Sequence, residues 1–113
     1  RFEIANAFSF GRFADVTAYL TDTTTWEIVG EKTLKGKSQI CAHCDQIASY
    51  FAEVTTDFRM IAAIENEEKI AIQGTAAFLK NGVQLSFVPA CDVYVFGDNN
   101  TLISITSFCI AEK

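Results

Sequence analysis

Asp92 is the residue of this chain whose type and setting most clearly suggest chemistry. It lies within Phe87-Val88-Pro89-Ala90-Cys91-Asp92-Val93-Tyr94-Val95-Phe96, an otherwise apolar and aromatic run. Such a run reads as a strand buried on at least one face. Burying a carboxylate there costs several kcal/mol unless it is paired or protonated. Asp92 is therefore the first candidate for a site. Cys41-Ala42-His43-Cys44 looks like a metal knuckle, but zinc takes four ligands and a second cluster is absent. Cys41 and Cys44 stand three apart in a helical pattern and share its apolar face with Ile40 and Ile47, so both read as core. His43, the single histidine, projects away from that face and reads as a solvent residue. Its sharper alternative is a proton carrier at a pocket mouth. Lys35-Gly36-Lys37-Ser38 has the shape of the end of a phosphate loop, yet position 31, where the first glycine belongs, is Glu31. No Ser or Cys hydrolase can be assembled around one histidine. Neither a metal nor a cofactor is expected.

The elements that must position Asp92 follow from hydrophobic period. Phe2, Ile4, Ala7 and Phe8 fit a short amphipathic helix that Gly11 interrupts, and Phe13, Val16 and Leu20 continue a helical spacing. Trp26-Glu27-Ile28-Val29 reads as a strand closed by Gly30. A helix is predicted after Gly36, with Ile40, Cys44, Ile47, Phe51 and Val54 on one face and Ser38 as its cap. The period then changes to two. Strands are predicted over roughly 55–65, 69–79, 83–96 and 101–111, separated by Glu65-Asn66-Glu67-Glu68, Lys80-Asn81-Gly82 and Gly97-Asp98-Asn99-Asn100. Helices followed by an antiparallel meander argue an α+β fold: a curved sheet with helices on one face. Pro89 inside the longest strand requires a bulge or an edge position. Both faces of the last strands are apolar, with Ile103 and Ile105 on one and Leu102, Phe108 and Ile110 on the other. One face can pack on helices, and the other predicts a homodimer.

Size and composition bound the partners. The 113 residues make one domain, 1–113, with half of them hydrophobic and one fifth charged. The net charge is −5, with no basic cluster beyond Lys32, Lys35 and Lys37, so nucleic acid and anionic membranes are not expected as partners. No apolar run has the length of a transmembrane span and no signal-peptide pattern opens the chain. The start at Arg1, inside what reads as helix, suggests that some N-terminal residues are missing. A domain this apolar needs no disulfides, so the four cysteines are expected reduced and the protein cytoplasmic.

Three stretches resemble the nuclear transport factor 2-like superfamily, in its ketosteroid isomerase and SnoaL-like polyketide cyclase branch. The first runs from Phe13 to Trp26-Glu27-Ile28-Val29-Gly30. The second is Leu34-Lys35-Gly36-Lys37-Ser38-Gln39-Ile40. The third joins Cys91-Asp92-Val93-Tyr94-Val95-Phe96 to Leu102-Ile103-Ser104-Ile105-Thr106-Ser107-Phe108. The resemblance implies a cone-shaped sheet wrapped around helices, enclosing an apolar pocket. The oxyanion-side aspartic acid of ketosteroid isomerases falls on Asp92, and the resemblance implies that an apolar setting keeps this carboxyl protonated as a donor. The general base falls on Glu27 when the Gly30 ends are aligned. The oxyanion-hole tyrosine falls near Ile4, where there is none, and neither Tyr19 nor Tyr94 matches the motif.

A Glu27–Asp92 pair facing one pocket makes physical sense, because two such carboxyl groups titrate apart, one a base and one a donor. The bland alternative puts Glu27 in solvent and has Asp92 bonding backbone N–H groups beside Pro89. Trp26 and Tyr94 are the expected lining residues, which suits an apolar or aromatic ligand. The leading expectation is a small-molecule pocket protein, an acid/base isomerase, cyclase or lyase acting on an apolar carbonyl compound. The rivals are a non-catalytic ligand-binding domain and a dimeric association domain of the same fold.

Overall fold

Period and turn chemistry along the chain produce two helices and six strands in the computed structural model, which describes residues 1–110. Helix α1 (Phe2–Ser9) is followed by two 3₁₀ turns (Phe13–Asp15 and Thr17–Tyr19), then by β1 (Thr25–Ile28), β2 (Lys32–Lys35) and helix α2 (Lys37–Glu53). The second half is β3 (Thr55–Glu65), β4 (Lys69–Lys80), β5 (Val83–Phe96) and β6 (Leu102–Cys109). The expected end of the last strand at 111 lies outside the described residues. All strands form one sheet in the order β2-β1-β6-β5-β4-β3. Neighbours are antiparallel except β1 and β6, which run parallel, so the sheet is mixed rather than purely antiparallel.

The turns act as their residues dictate. Asn81 and Gly82 take φ of 54° and 79°, the left-handed pair that a two-residue hairpin needs. The Asn66 side-chain oxygen accepts from the N–H groups of Glu68 and Lys69 at 2.9 and 2.8 Å, closing the β3–β4 turn. Helix α2 carries Ile40 and Cys44 as its buried stripe and ends at Val54, whose extended backbone starts β3. Ser38 is not its cap. Gly36 holds that position, and Gln39 Oε1 reaches back to the Lys35 N–H at 2.9 Å.

The core lies between the concave face of the sheet and the helices. Ala5 and Phe8 of α1, Val16, Leu20 and Ile40 meet Trp26, Ile70, Ile72, Tyr94, Leu102 and Ile105 from the strands. Each side chain so buried contributes about 1.5–3 kcal/mol. Two local expectations are corrected here, one strand was not foreseen, and Pro89 takes the edge position rather than the bulge. Phe13, Val16 and Leu20 belong to 3₁₀ turns rather than to a helix; Thr17 Oγ1 donates to the Ala14 carbonyl at 3.1 Å, a local bond that competes with helix continuation. Strand β2 has no sequence signature, because it is an exposed, lysine-flanked edge whose only partner is β1. Ile103 and Ile105 do not share a face: the register slips between Val95 and Phe96, so Leu102 and Ile105 both point inward and Ile103 outward. Pro89 needs no bulge of its own. Its carbonyl accepts from the Ile110 N–H at 2.9 Å on the side where β6 has just ended, so the missing donor faces an edge.

A true bulge sits in β3, where pairing with β4 skips Ile61 between Met60 and Ala62. It brings the Arg59 carbonyl against Gly74, where an added Cβ would lie 2.6 Å from that oxygen. Only glycine permits that approach. No helix among the described residues is long and apolar enough to cross a membrane.

Candidate active site

A cavity of about 300 Å³ opens between the concave face of the sheet, the end of α1 and one side of α2. Its sheet wall follows from register. Ile28 pairs with Ser107, Ser107 with Asp92 and Asp92 with Ile72, so these side chains form one row across four strands, and all of them face the hollow. The two ends of the cavity differ in chemistry. One end holds Ser9, Asp92, Ser107, Trp26 and His43, whereas the other is lined by Phe10, Phe51, Phe58 and Phe78. The Phe51 and Phe78 rings stack at 5.7 Å and 22°, and Phe58 stands edge-on to Phe51 at 5.6 Å. Gly11, with φ of +82°, keeps this end open: a Cβ there would lie 2.8 Å from the Phe51 ring.

At the polar end, Asp92 is half-buried, and what it exposes opens on the hollow. Ser9 Oγ, from the last turn of α1, donates to Asp92 Oδ2 at 2.8 Å. The fully buried Tyr94 hydroxyl bonds the same Ser9 oxygen, and with the Ser9 proton committed to Asp92 the phenol is left to donate. Trp26 Nε1 donates to Ser107 Oγ at 2.9 Å, and Ser107 is the register neighbour of Asp92 on the next strand. Burial pushes Asp92 above the ordinary carboxylate range, while the hydrogen bonds from Ser107, Ser9 and Tyr94 pull it back in part. Desolvation wins. The same burial, with the Asp92 charge beside it, drives the Tyr94 phenol well above its usual value, so it stays a neutral donor.

The placement of the predicted residues is mixed. Asp92 and Trp26 stand in the cavity wall as expected. Tyr94 does not line it; it stands behind Ser9 and Asp92 and completes their hydrogen bonding. Glu27 is not brought to Asp92. In β1 the odd positions Thr25 and Glu27 turn to the outer face while Trp26 and Ile28 turn inward, which leaves Glu27 exposed. The strand period that puts Trp26 in the wall takes Glu27 out of it. His43 is not a free solvent residue: its ring packs on the Trp26 ring at 5.2 Å in the cavity wall. Ser9 and Ser107 were missed. Their only sequence signal is a small hydroxyl residue where alternation or helical period calls for an apolar one.

All four cysteines are free thiols. Burial pushes the Cys44 thiol up to about 12, so it packs as an apolar group. Among the described residues no group of three or more His, Cys, Asp or Glu side chains is placed to hold a metal ion.

No family model and no curated protein matches the chain. Solved structures do. An NTF2-like protein of unknown function from Cytophaga hutchinsonii ATCC 33406 is 33% identical, with a TM-score of 0.85 over 96% of this chain and 95% of that one. A proposed SnoaL-like polyketide cyclase from Shewanella denitrificans OS-217 is 11% identical, with a TM-score of 0.73 over 95% and 85% of the two chains. An LEH-like epoxide hydrolase of M. tuberculosis is 16% identical, with a TM-score of 0.69 over 93% and 75%. At such identities the last two show the fold alone, whereas the first shares sequence along nearly its whole length. The chain belongs to the NTF2-like family.

Proposed function

We propose that the protein binds a small apolar carbonyl compound, with a protonated Asp92 donating a hydrogen bond to the carbonyl oxygen. The observation that carries this reading is a raised, hydrogen-bonded carboxyl at one end of a hollow whose other end is phenylalanine. Such a site orients a ligand by one polar contact and holds it by apolar burial. Proteins of the same fold include a proposed polyketide cyclase and an epoxide hydrolase, and acid/base chemistry of the isomerase, cyclase or lyase kind suits a donor held at a carbonyl. The exposure of Glu27 favours a second reading, simple ligand binding, unless another base serves the cavity. The bare apolar outer face supports assembly as a homodimer through the sheet, with Ile61, Ile64 and Phe108 exposed there.

The test is the pH dependence of binding 2-acetylnaphthalene, an apolar aromatic ketone, followed by quenching of Trp26 fluorescence. Affinity is expected to be highest where Asp92 is protonated and to fall by about tenfold once it ionises, the worth of one hydrogen bond. Asp92→Asn should lose that pH dependence. Affinity that stays level from about pH 4 to about pH 9 in the wild type would remove the proposed role of Asp92. Light scattering tests the dimer: Phe108→Glu should yield a folded monomer.

A further inference from the structure

We infer that His43 is the proton acceptor of the cavity, working on a ligand that Asp92 holds by its carbonyl oxygen. This rests on the binding reading above and supplies the base that Glu27 does not. Four titratable side chains line the hollow: Glu31, His43, Asp92 and Cys109. Asp92 is committed as the donor. The Cys109 thiol is pushed up, burial being the largest cause, so it stays protonated. Glu31 is exposed at the rim, open to water and away from the buried wall of the hollow. His43 remains.

Its surroundings suit the role. The imidazole packs on Trp26 at 5.2 Å, and the Trp26 indole N–H donates to Ser107, the register neighbour of Asp92, so base and donor face one another's surroundings through two side chains. The Gln46 side chain, one helical turn on, favours the protonated ring. A neutral imidazole keeps one unprotonated nitrogen, and that nitrogen can take a proton. Lys32 and Glu31 of the β1–β2 hairpin act on its charge, and Asp92 and Cys109 of the sheet face the same hollow. Burial is the largest influence and lowers the His43 pKa, Lys32 lowers it further, and Gln46 and Glu31 oppose both. The imidazole is therefore mostly neutral at pH 7, the form that can accept a proton.

The step balances without an oxidant or cofactor. The free nitrogen of His43 takes a proton from the carbon beside the ligand carbonyl. The C–H electron pair forms a C=C bond, and the carbonyl π pair moves to oxygen, where the Asp92 O–H bonds it. The imidazolium then returns the proton to carbon and the carbonyl re-forms. The net change is a shifted or inverted C–H bond.

The probe is 5-nitrobenzisoxazole, a flat aromatic carbon acid that a base opens in one step: the C–H proton leaves, the N–O bond breaks and a coloured phenoxide nitrile forms. The wild type should open it faster than an equal concentration of free imidazole. Its rate should rise with pH through one ionisation below about 6.5, the ordinary imidazole value. His43→Gln should lose about a hundredfold, whereas Glu27→Gln, on the exposed outer face, should keep the rate. Because the chain has a single histidine, one imidazole Cε1 resonance reports its titration, and its midpoint should match that of the rate. A wild-type rate no higher than imidazole overturns the inference, as does an unchanged rate in a folded His43→Gln or His43→Asn. So does a loss that follows Glu31→Gln instead. Failure here is separable from failure of the binding reading, since that reading is judged by the loss of pH-dependent binding in Asp92→Asn, with His43 intact.

Discussion

Two rows of the same sheet, one on each face, show how differently neighbouring positions are used. On the inner face Ile72, Asp92, Ser107 and Ile28 lie side by side across four strands and face the cavity. One residue along, Gln73, Cys91 and Phe108 form the outer row, which leads into a broad apolar surface where Ile61, Ile64 and Ile110 are 61%, 72% and 69% exposed. Inside, every polar atom of Asp92 and its neighbours needs a partner, because a hollow lined with phenylalanine supplies none. Outside, apolar side chains face outward with no polar partners to satisfy. A site that selects a ligand by one contact requires the first arrangement; a surface that selects another surface requires the second.

Substitutions can break this contrast, starting with the core that backs it. Ile105 is fully buried and Ile103, two residues away, is 53% exposed. Ile105→Ala should destabilise the protein by about 3 kcal/mol, whereas Ile103→Ala should stay within about 0.5 kcal/mol. Urea unfolding measures both; equal losses would mean the register slip in β6 is misplaced. Gly74→Ala comes next, at about 2 kcal/mol. Its Cβ would press on the Arg59 carbonyl, a backbone atom that cannot rotate aside. An unchanged unfolding midpoint would show that the β3 bulge is free to move.

A pH series sharpens the inner row. The folded state raises the Asp92 pKa above its unfolded value, burial being the largest cause. Its contribution is thus fully present below the unfolded value, about 3.9, and is lost as pH rises through the folded one. Stability of the wild type relative to Asp92→Asn should therefore fall across that window. A difference that stays constant with pH would show that Asp92 is not desolvated. The smallest effect is expected at Glu27, where Glu27→Gln on the exposed outer face should shift stability by less than about 0.5 kcal/mol and leave 2-acetylnaphthalene binding untouched.

Most of the architecture was legible in the residues themselves. Alternation and turn chemistry placed β3 to β6 within a few residues, because period-two patterning and Asn-Gly turns are local properties. What escaped was whatever depended on a partner. Strand β2 exists because β1 needs an edge neighbour, and the Phe13–Leu20 stretch shortened into 3₁₀ turns under packing that its spacing does not encode. The site was half legible. Asp92 announced itself as an acid in apolar surroundings, whereas Ser9, which bonds it, lies 83 residues away in another element.

Asp92's need for protection from water and the two-sided character of every strand were determined by the sequence alone, since both follow from residue type and period. Which side each strand turned to the hollow was decided only in three dimensions. Glu27 went outward because Trp26 and Ile28 went in, and His43 joined the wall because α2 lies over Trp26. The physical reason is common to both: burial is a property of the assembled faces, and a side chain learns its environment only when distant segments close around it.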